Sequence, residues 1–282
     1  MSSDKSNLLV NAREKELLSR AEYNTYVQTE QGECSAYCFR PAPVETPGHR
    51  YPVIIFFHGG LFDQRLTGQF APHCLHFASR GMLAFSVEYR TSEFHQTTPV
   101  EALEDARNFL NFLNTYQDHY QADMSRLVVA GNAGGGLLAS HLCSRHKKIG
   151  GILDALPRPA AQILYSPLIN TTSKGIGADL FADPKMAKLV SPSELIEKDY
   201  PPTIAFHGKA DTVIPFSLTE RYMKNLQKKK NQAEFVDFET GRHIDFNLNV
   251  NPQLYGAALR SADYFLADLG IIPHDEDALL DF

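Results

Sequence analysis

The chain has 282 residues, 43% hydrophobic and 21% charged, ordinary values for a globular protein able to build one sizeable core. Its formal charge of −6 argues against nucleic acid or an anionic membrane as partner. No run of 18 apolar residues occurs and the N-terminus has no signal-peptide core, so a cytoplasmic protein is expected.

In chain order, the segment up to Arg50 holds a charged helix at 12–21 and two antiparallel strands. Cys34 and Cys38 share one face of the second strand. No further Cys pair or matched His spacing follows them, so packing is expected rather than a metal site. Short apolar runs at 53–57, 83–87, 127–130, 161–165, 203–206 and 233–238 read as buried strands. Between them, 100–120 sets Leu103, Ala106, Phe109, Leu110 and Leu113 at helical spacing. Further helices are expected at 135–144, 217–229 and 254–269, the last stopped by Gly270. This alternation predicts a mostly parallel sheet covered by helices in a single domain, 1–282. The stretch 170–199, rich in Ser, Gly, Asp and Pro, is read with the N-terminal 50 residues as a small cap over the active site; a surface excursion is the plainer alternative.

The most specific stretch is Gly131-Asn132-Ala133-Gly134-Gly135-Gly136, lying between a strand and a helix. That is the setting of the nucleophile elbow G-x-S-x-G, with Ala133 where serine would stand. A phosphate loop would continue with Lys-Ser or Lys-Thr, whereas Leu137-Leu138 follow, and a dinucleotide fingerprint spaces its glycines differently. His58-Gly59-Gly60 closes the 53–57 strand, where an oxyanion loop belongs; the N–H groups of Gly59, Gly60 and Gly134 are the candidate donors. His58 is read as fixing that loop. Asp211 follows the 203–206 strand and His243 the 233–238 strand. A serine hydroxyl needs a base to take its proton, here His243, and that base needs an orienting carboxylate, here Asp211. His207 is read as a strand-end residue and Asp245 as a surface or supporting group.

Together these motifs resemble the esterase branch of the α/β-hydrolase superfamily, which includes hormone-sensitive-lipase-like and carbohydrate acetyl or feruloyl esterases. The resemblance runs from about Tyr51 to Leu269 and includes Glu88-Tyr89-Arg90, similar to the family's D-Y-R segment, and the run from Ser191-Pro192 to Val213-Ile214-Pro215. It implies an α/β-hydrolase fold of about eight mostly parallel strands, no cofactor, and hydrolysis of a small carboxylic ester through an acyl-enzyme, acetyl esters first in line. It also implies pairing of two copies through an edge strand or helix as one route to a homodimer.

Two departures stand out. Without a hydroxyl at position 133 no acyl-enzyme can form, and loss of a nucleophile costs on the order of 10⁶ in turnover in the subtilisin case. Alanine removes only the oxygen and the other motifs remain, which is the pattern of a deliberate serine-to-alanine change; the alternative is a natural ligand-binding relative without catalysis. The loop after His58-Gly59-Gly60 is polar, and Phe62, Gln64 and Arg65 are taken as candidate contacts to a polar ester such as an acylated sugar.

Overall fold

A computed structural model describes residues 12–149 and 153–275. Eight strands form one sheet: β1 (Glu22–Thr29), β2 (Gly32–Phe39), β3 (Tyr51–Phe57), β4 (Leu83–Val87), β5 (Ala122–Asn132), β6 (Ala161–Pro167), β7 (Thr203–Gly208) and β8 (Ala233–Phe238). Their order is β1-β2-β4-β3-β5-β6-β7-β8. The two pairings β1–β2 and β2–β4 are antiparallel and the rest are parallel. The helices are α1 (12–18), α2 (Ala71–Ser79), α3 (Ser92–His95), α4 (Pro99–Thr115), α5 (Gln117–Tyr120), α6 (Ala133–Cys143), α7 (Pro184–Leu189), α8 (Phe216–Lys228) and α9 (Pro252–Asp268).

The period-two geometry of a strand explains why the central runs are apolar without a break. Val53, Ile55 and Phe57 enter one apolar layer with α4, α6 and α8, while Ile54 and Phe56 enter the other with α2 and α9. At the mean transfer value of roughly 25 cal/mol per Å² of apolar surface, these doubly covered strands are the main source of stability. Helix α4 starts where its sequence says it should. Thr98 and Glu101 form a reciprocal capping box, with Pro99 in the first turn.

Three expectations need adjustment. The N-terminal strands do not cover the site; β1 and β2 extend the sheet at its antiparallel edge. Only α1 approaches the site, through Glu14, whose carboxylate accepts from Asn247 Nδ2 at 3.1 Å; residues 1–11 of that segment lie outside the described residues. The stretch 170–199 folds as a short-helix excursion whose Phe181, Ala187, Val190 and Leu195 join the apolar layer shared with α6 and α8. Helix α2, absent from the sequence reading, is buried at seven of its nine positions and so lacks the one-sided stripe that marks a helix.

Candidate active site

The turn from β5 into α6 is built on glycine contacts. A Cβ on Gly131 would strike the Gly135 backbone, and one on Gly135 would strike the Phe57 and His58 carbonyls. That closeness forces the chain to reverse sharply, and Ala133 at its apex has φ +46, the left-handed region a non-glycine residue enters at a cost of order 1–3 kcal/mol. The carbonyl of Ala133 accepts from Leu168 N–H at 2.9 Å, pinning the apex to the end of β6. The backbone is that of a nucleophile elbow. The side chain carries no oxygen.

Asp211 and His243 meet beyond the ends of β7 and β8. Gly208 and Gly241 bring those loops together, since a Cβ on Gly208 would collide with the Gly241 backbone. His243 Nδ1 then donates to Asp211 Oδ2 at 2.8 Å, which leaves Nε2 as the outward nitrogen. Asp211 Oδ1 accepts from the N–H groups of Val213 and Ile214 at 2.8 and 2.9 Å. Burial by itself would raise the Asp211 carboxyl, but the bonds from His207 and His243 and the backbone donors outweigh it. Its pKa lies well below the ordinary carboxylate range.

His207 holds more than a strand end. Its Nε2 sits 3.1 Å from Asp211 Oδ2 and 3.0 Å from the Ile214 carbonyl, so Nε2 carries the proton and Nδ1 accepts from Thr219 Oγ1 at 2.9 Å. The sequence offered one signal for this, the i,i+4 spacing of His207 and Asp211 across a strand-end turn. Asp245 pairs with Arg242 at 2.9 Å and so braces the His243 loop.

His58 donates from Nδ1 to the Gly59 carbonyl at 2.9 Å and stacks on Tyr89, with ring centroids 4.0 Å apart. Burial lowers its pKa to about 4, so the ring is neutral at pH 7. The Tyr89 hydroxyl donates to the His58 carbonyl at 2.9 Å, and Arg90 is buried on Asp105. Glu88 takes Arg65, with Nε at 2.9 Å. The Glu88-Tyr89-Arg90 segment is therefore the scaffold of the loop.

Two of the three expected oxyanion donors, Gly59 and Gly134, already have acceptors within the fold, whereas Gly60 N–H makes no hydrogen bond among the described residues. Gly59 N–H donates to Gln69 Oε1 at 2.6 Å, and Gly134 N–H donates to the Gly60 carbonyl at 2.9 Å. Gln69 Nε2 in turn donates to Asn132 Oδ1 at 3.2 Å, and Asn132 Nδ2 to the Tyr165 carbonyl at 2.9 Å. Gln69 and Asn132 lie 63 residues apart, a distance along the chain that hides their contact. Among the tentative substrate contacts, Phe62 is buried and Arg65 is committed to Glu88; Gln64 alone is exposed without such a tie. Beside His243, Gln69, Asn132, Tyr165 and Asn247 line a crevice too narrow to hold a water molecule. Among the described residues no three His, Cys, Asp or Glu side chains come together as a metal site, and no helix is long and apolar enough to cross a membrane.

This is an α/β-hydrolase fold of the kind found in esterases. A family profile described as alpha/beta hydrolase fold matches residues 54–193, and a second, described as BD-FAE, matches 166–226. An esterase structure from Thermogutta terrifontis with propionate bound superposes with a TM-score of 0.83 at 27% identity, covering 92% of this chain and 97% of that one. Esterase LipI of Mycobacterium tuberculosis is 30% identical over 120 residues, 41% of this chain and 34% of that protein. A neuroligin-like protein of Caenorhabditis elegans, glit-1, is 32% identical over 133 residues, 44% of this chain and 17% of that protein. The matched stretches thus span about a third or less of these two relatives.

Proposed function

We propose that this protein is a non-hydrolytic relative of the carboxylic ester hydrolases, keeping their scaffold and acid–base pair without the chemistry. One observation carries the reading: the apex of the elbow is Ala133, so His243 has no hydroxyl to deprotonate and no acyl-enzyme can form there. Ser166, at the end of β6, is no replacement, because its buried hydroxyl makes no hydrogen bond to His243 or to any other group among the described residues. The parent chemistry is acyl transfer from a small carboxylic ester, a reading supported by likeness to an esterase with propionate bound.

The test is p-nitrophenyl acetate hydrolysis by the chain beside its His243→Ala variant, with covalent labelling by a fluorophosphonate. Equal background rates and no adduct are expected. Turnover that depends on His243, or an adduct on any residue of the site, would overturn the proposal. A second reading, an ester hydrolase lacking only its serine by a deliberate change, is favoured by the intact Asp211–His243 bond at 2.8 Å. Under it, Ala133→Ser alone would raise turnover by many orders of magnitude, on the scale of about 10⁶ known for a lost nucleophile.

A further inference from the structure

We infer that the oxyanion hole of this protein is filled by its own backbone, the Gly60 carbonyl sitting on the Gly134 N–H where an ester oxygen would bind. The inference rests on the non-hydrolytic reading and extends it, because the lesion is then not confined to position 133.

The N–H of the residue after the nucleophile position is a defining donor of the hole in this fold. Here it reaches the Gly60 oxygen at 2.9 Å, within the 2.7–3.1 Å or so that such donors keep from an oxyanion. The loop bearing that carbonyl is tied down on both sides. Gly60 has φ +89 and Phe62 has φ +66, an uncommon region for a bulky residue that the surroundings must enforce. Asp63 Oδ1 accepts from Leu61 N–H at 2.9 Å, and the Phe62 carbonyl accepts from Ser92 N–H at 2.8 Å. The Phe62 side chain is turned inward, 2% exposed, over the same elbow.

Position 134 supplies a separate line of support. A Cβ there would stand 2.8 Å from the Gly60 oxygen and 3.1 Å from the Phe62 ring. The self-contact therefore needs glycine at 134, and any larger residue would push the loop off the N–H. The neighbouring donor Gly59 N–H is spent on Gln69 at 2.6 Å, so the hole lacks a free partner there as well. An ester carbonyl arriving at this site would have to displace a covalently tethered competitor.

Two experiments decide it. In the native, isotopically labelled chain, a through-hydrogen-bond coupling between Gly134 nitrogen and Gly60 carbonyl carbon is expected by NMR. Its absence while the couplings within α6 are resolved would overturn the inference. Next, p-nitrophenyl acetate turnover is compared for Ala133→Ser and for Ala133→Ser/Gly134→Ala. One oxyanion donor is worth about 10²–10³ in turnover, so the double variant should be faster by up to that factor. If Gly134→Ala prevents folding, Ala133→Ser/Asp63→Ala loosens the loop instead, with the same expectation. Equal or greater activity of Ala133→Ser alone would sink the idea while leaving the native chain non-hydrolytic; hydrolysis by the native chain would sink the earlier reading instead.

Discussion

Asp211 offers the sharpest test, since on the proposed non-hydrolytic reading its carboxylate should matter for stability. It accepts four hydrogen bonds, from the backbone of Val213 and Ile214 and from the rings of His207 and His243. In Asp211→Ala the Val213 amide regains water, because that residue is 44% exposed, whereas the buried Ile214 amide loses its acceptor. His207 keeps the Ile214 carbonyl, and His243 loses its tether. One buried orphan donor costs about 1–3 kcal/mol, so with the weakened imidazole contacts the expected loss is about 2–4 kcal/mol. Asp211→Asn keeps one acceptor oxygen but sets its NH₂ against either the two amides or the two rings, and should fall between wild type and Asp211→Ala. Urea unfolding followed by circular dichroism reads both variants. The sign with pH is fixed by the depressed carboxyl: the unfolded chain takes up the proton first as pH falls. The stability gap between wild type and Asp211→Ala should therefore hold from neutral pH to about 5. It should shrink below about 4, the ordinary Asp value, by up to about 1.4 kcal/mol per pH unit. A loss under about 0.5 kcal/mol, the range of an indifferent surface change, would refute the reasoning.

Three further outcomes follow from packing. Asp263 on α9 joins His76 Nε2 of α2 and Arg80 Nε just beyond its end at 2.8 Å each, all nearly buried; Asp263→Ala leaves the Arg80 charge only Asp275 at 3.3 Å and the Pro273 carbonyl at 2.6 Å, and should cost about 3 kcal/mol, the low end for breaking a buried pair, in the same unfolding assay. Gly135→Ala drives a methyl into two backbone carbonyls that cannot yield, and should cost about 3 kcal/mol or more. Gly48→Ala, with φ +77 but open space around it, should cost only the local backbone penalty of about 1–2 kcal/mol. Equal midpoints for those two glycine variants would contradict the account of the elbow.

Retention of Asp211 and His243 beside Ala133 suggested in the sequence that only the nucleophile had been removed. The structure offers another reason for keeping the pair. Asp211 ties the turn after β7 to the loop after β8, and its four donors would need new partners if it were lost. On the proposed reading, that tie alone gives the pair a reason to persist.

Much of the fold was legible along the chain because its signals are local. The run Val53 to Phe57 had to be covered on both faces, being apolar on successive residues, and strands β4 and β8 fall at the expected 83–87 and 233–238. Glycines flanking Ala133, with a strand before and a helix after, specify an elbow whatever surrounds it, for a sharp reversal tolerates no side chain there. The chain order of Asp211 and His243 likewise identified two loops that the parallel sheet would bring to one end.

What tertiary structure alone decided is where backbone groups find their partners. Nothing in the letters His58-Gly59-Gly60 says whether a peptide N–H or a carbonyl faces the elbow; that depends on Asp63, Ser92 and the missing Cβ of Gly134, which meet only in three dimensions. The same holds for Arg65, which reads as a free charge until Glu88 is seen beside it. Side-chain types and their spacing are properties of the chain. Which polar group is already satisfied is a property of the folded molecule, because a hydrogen bond is settled by distances between segments far apart in sequence.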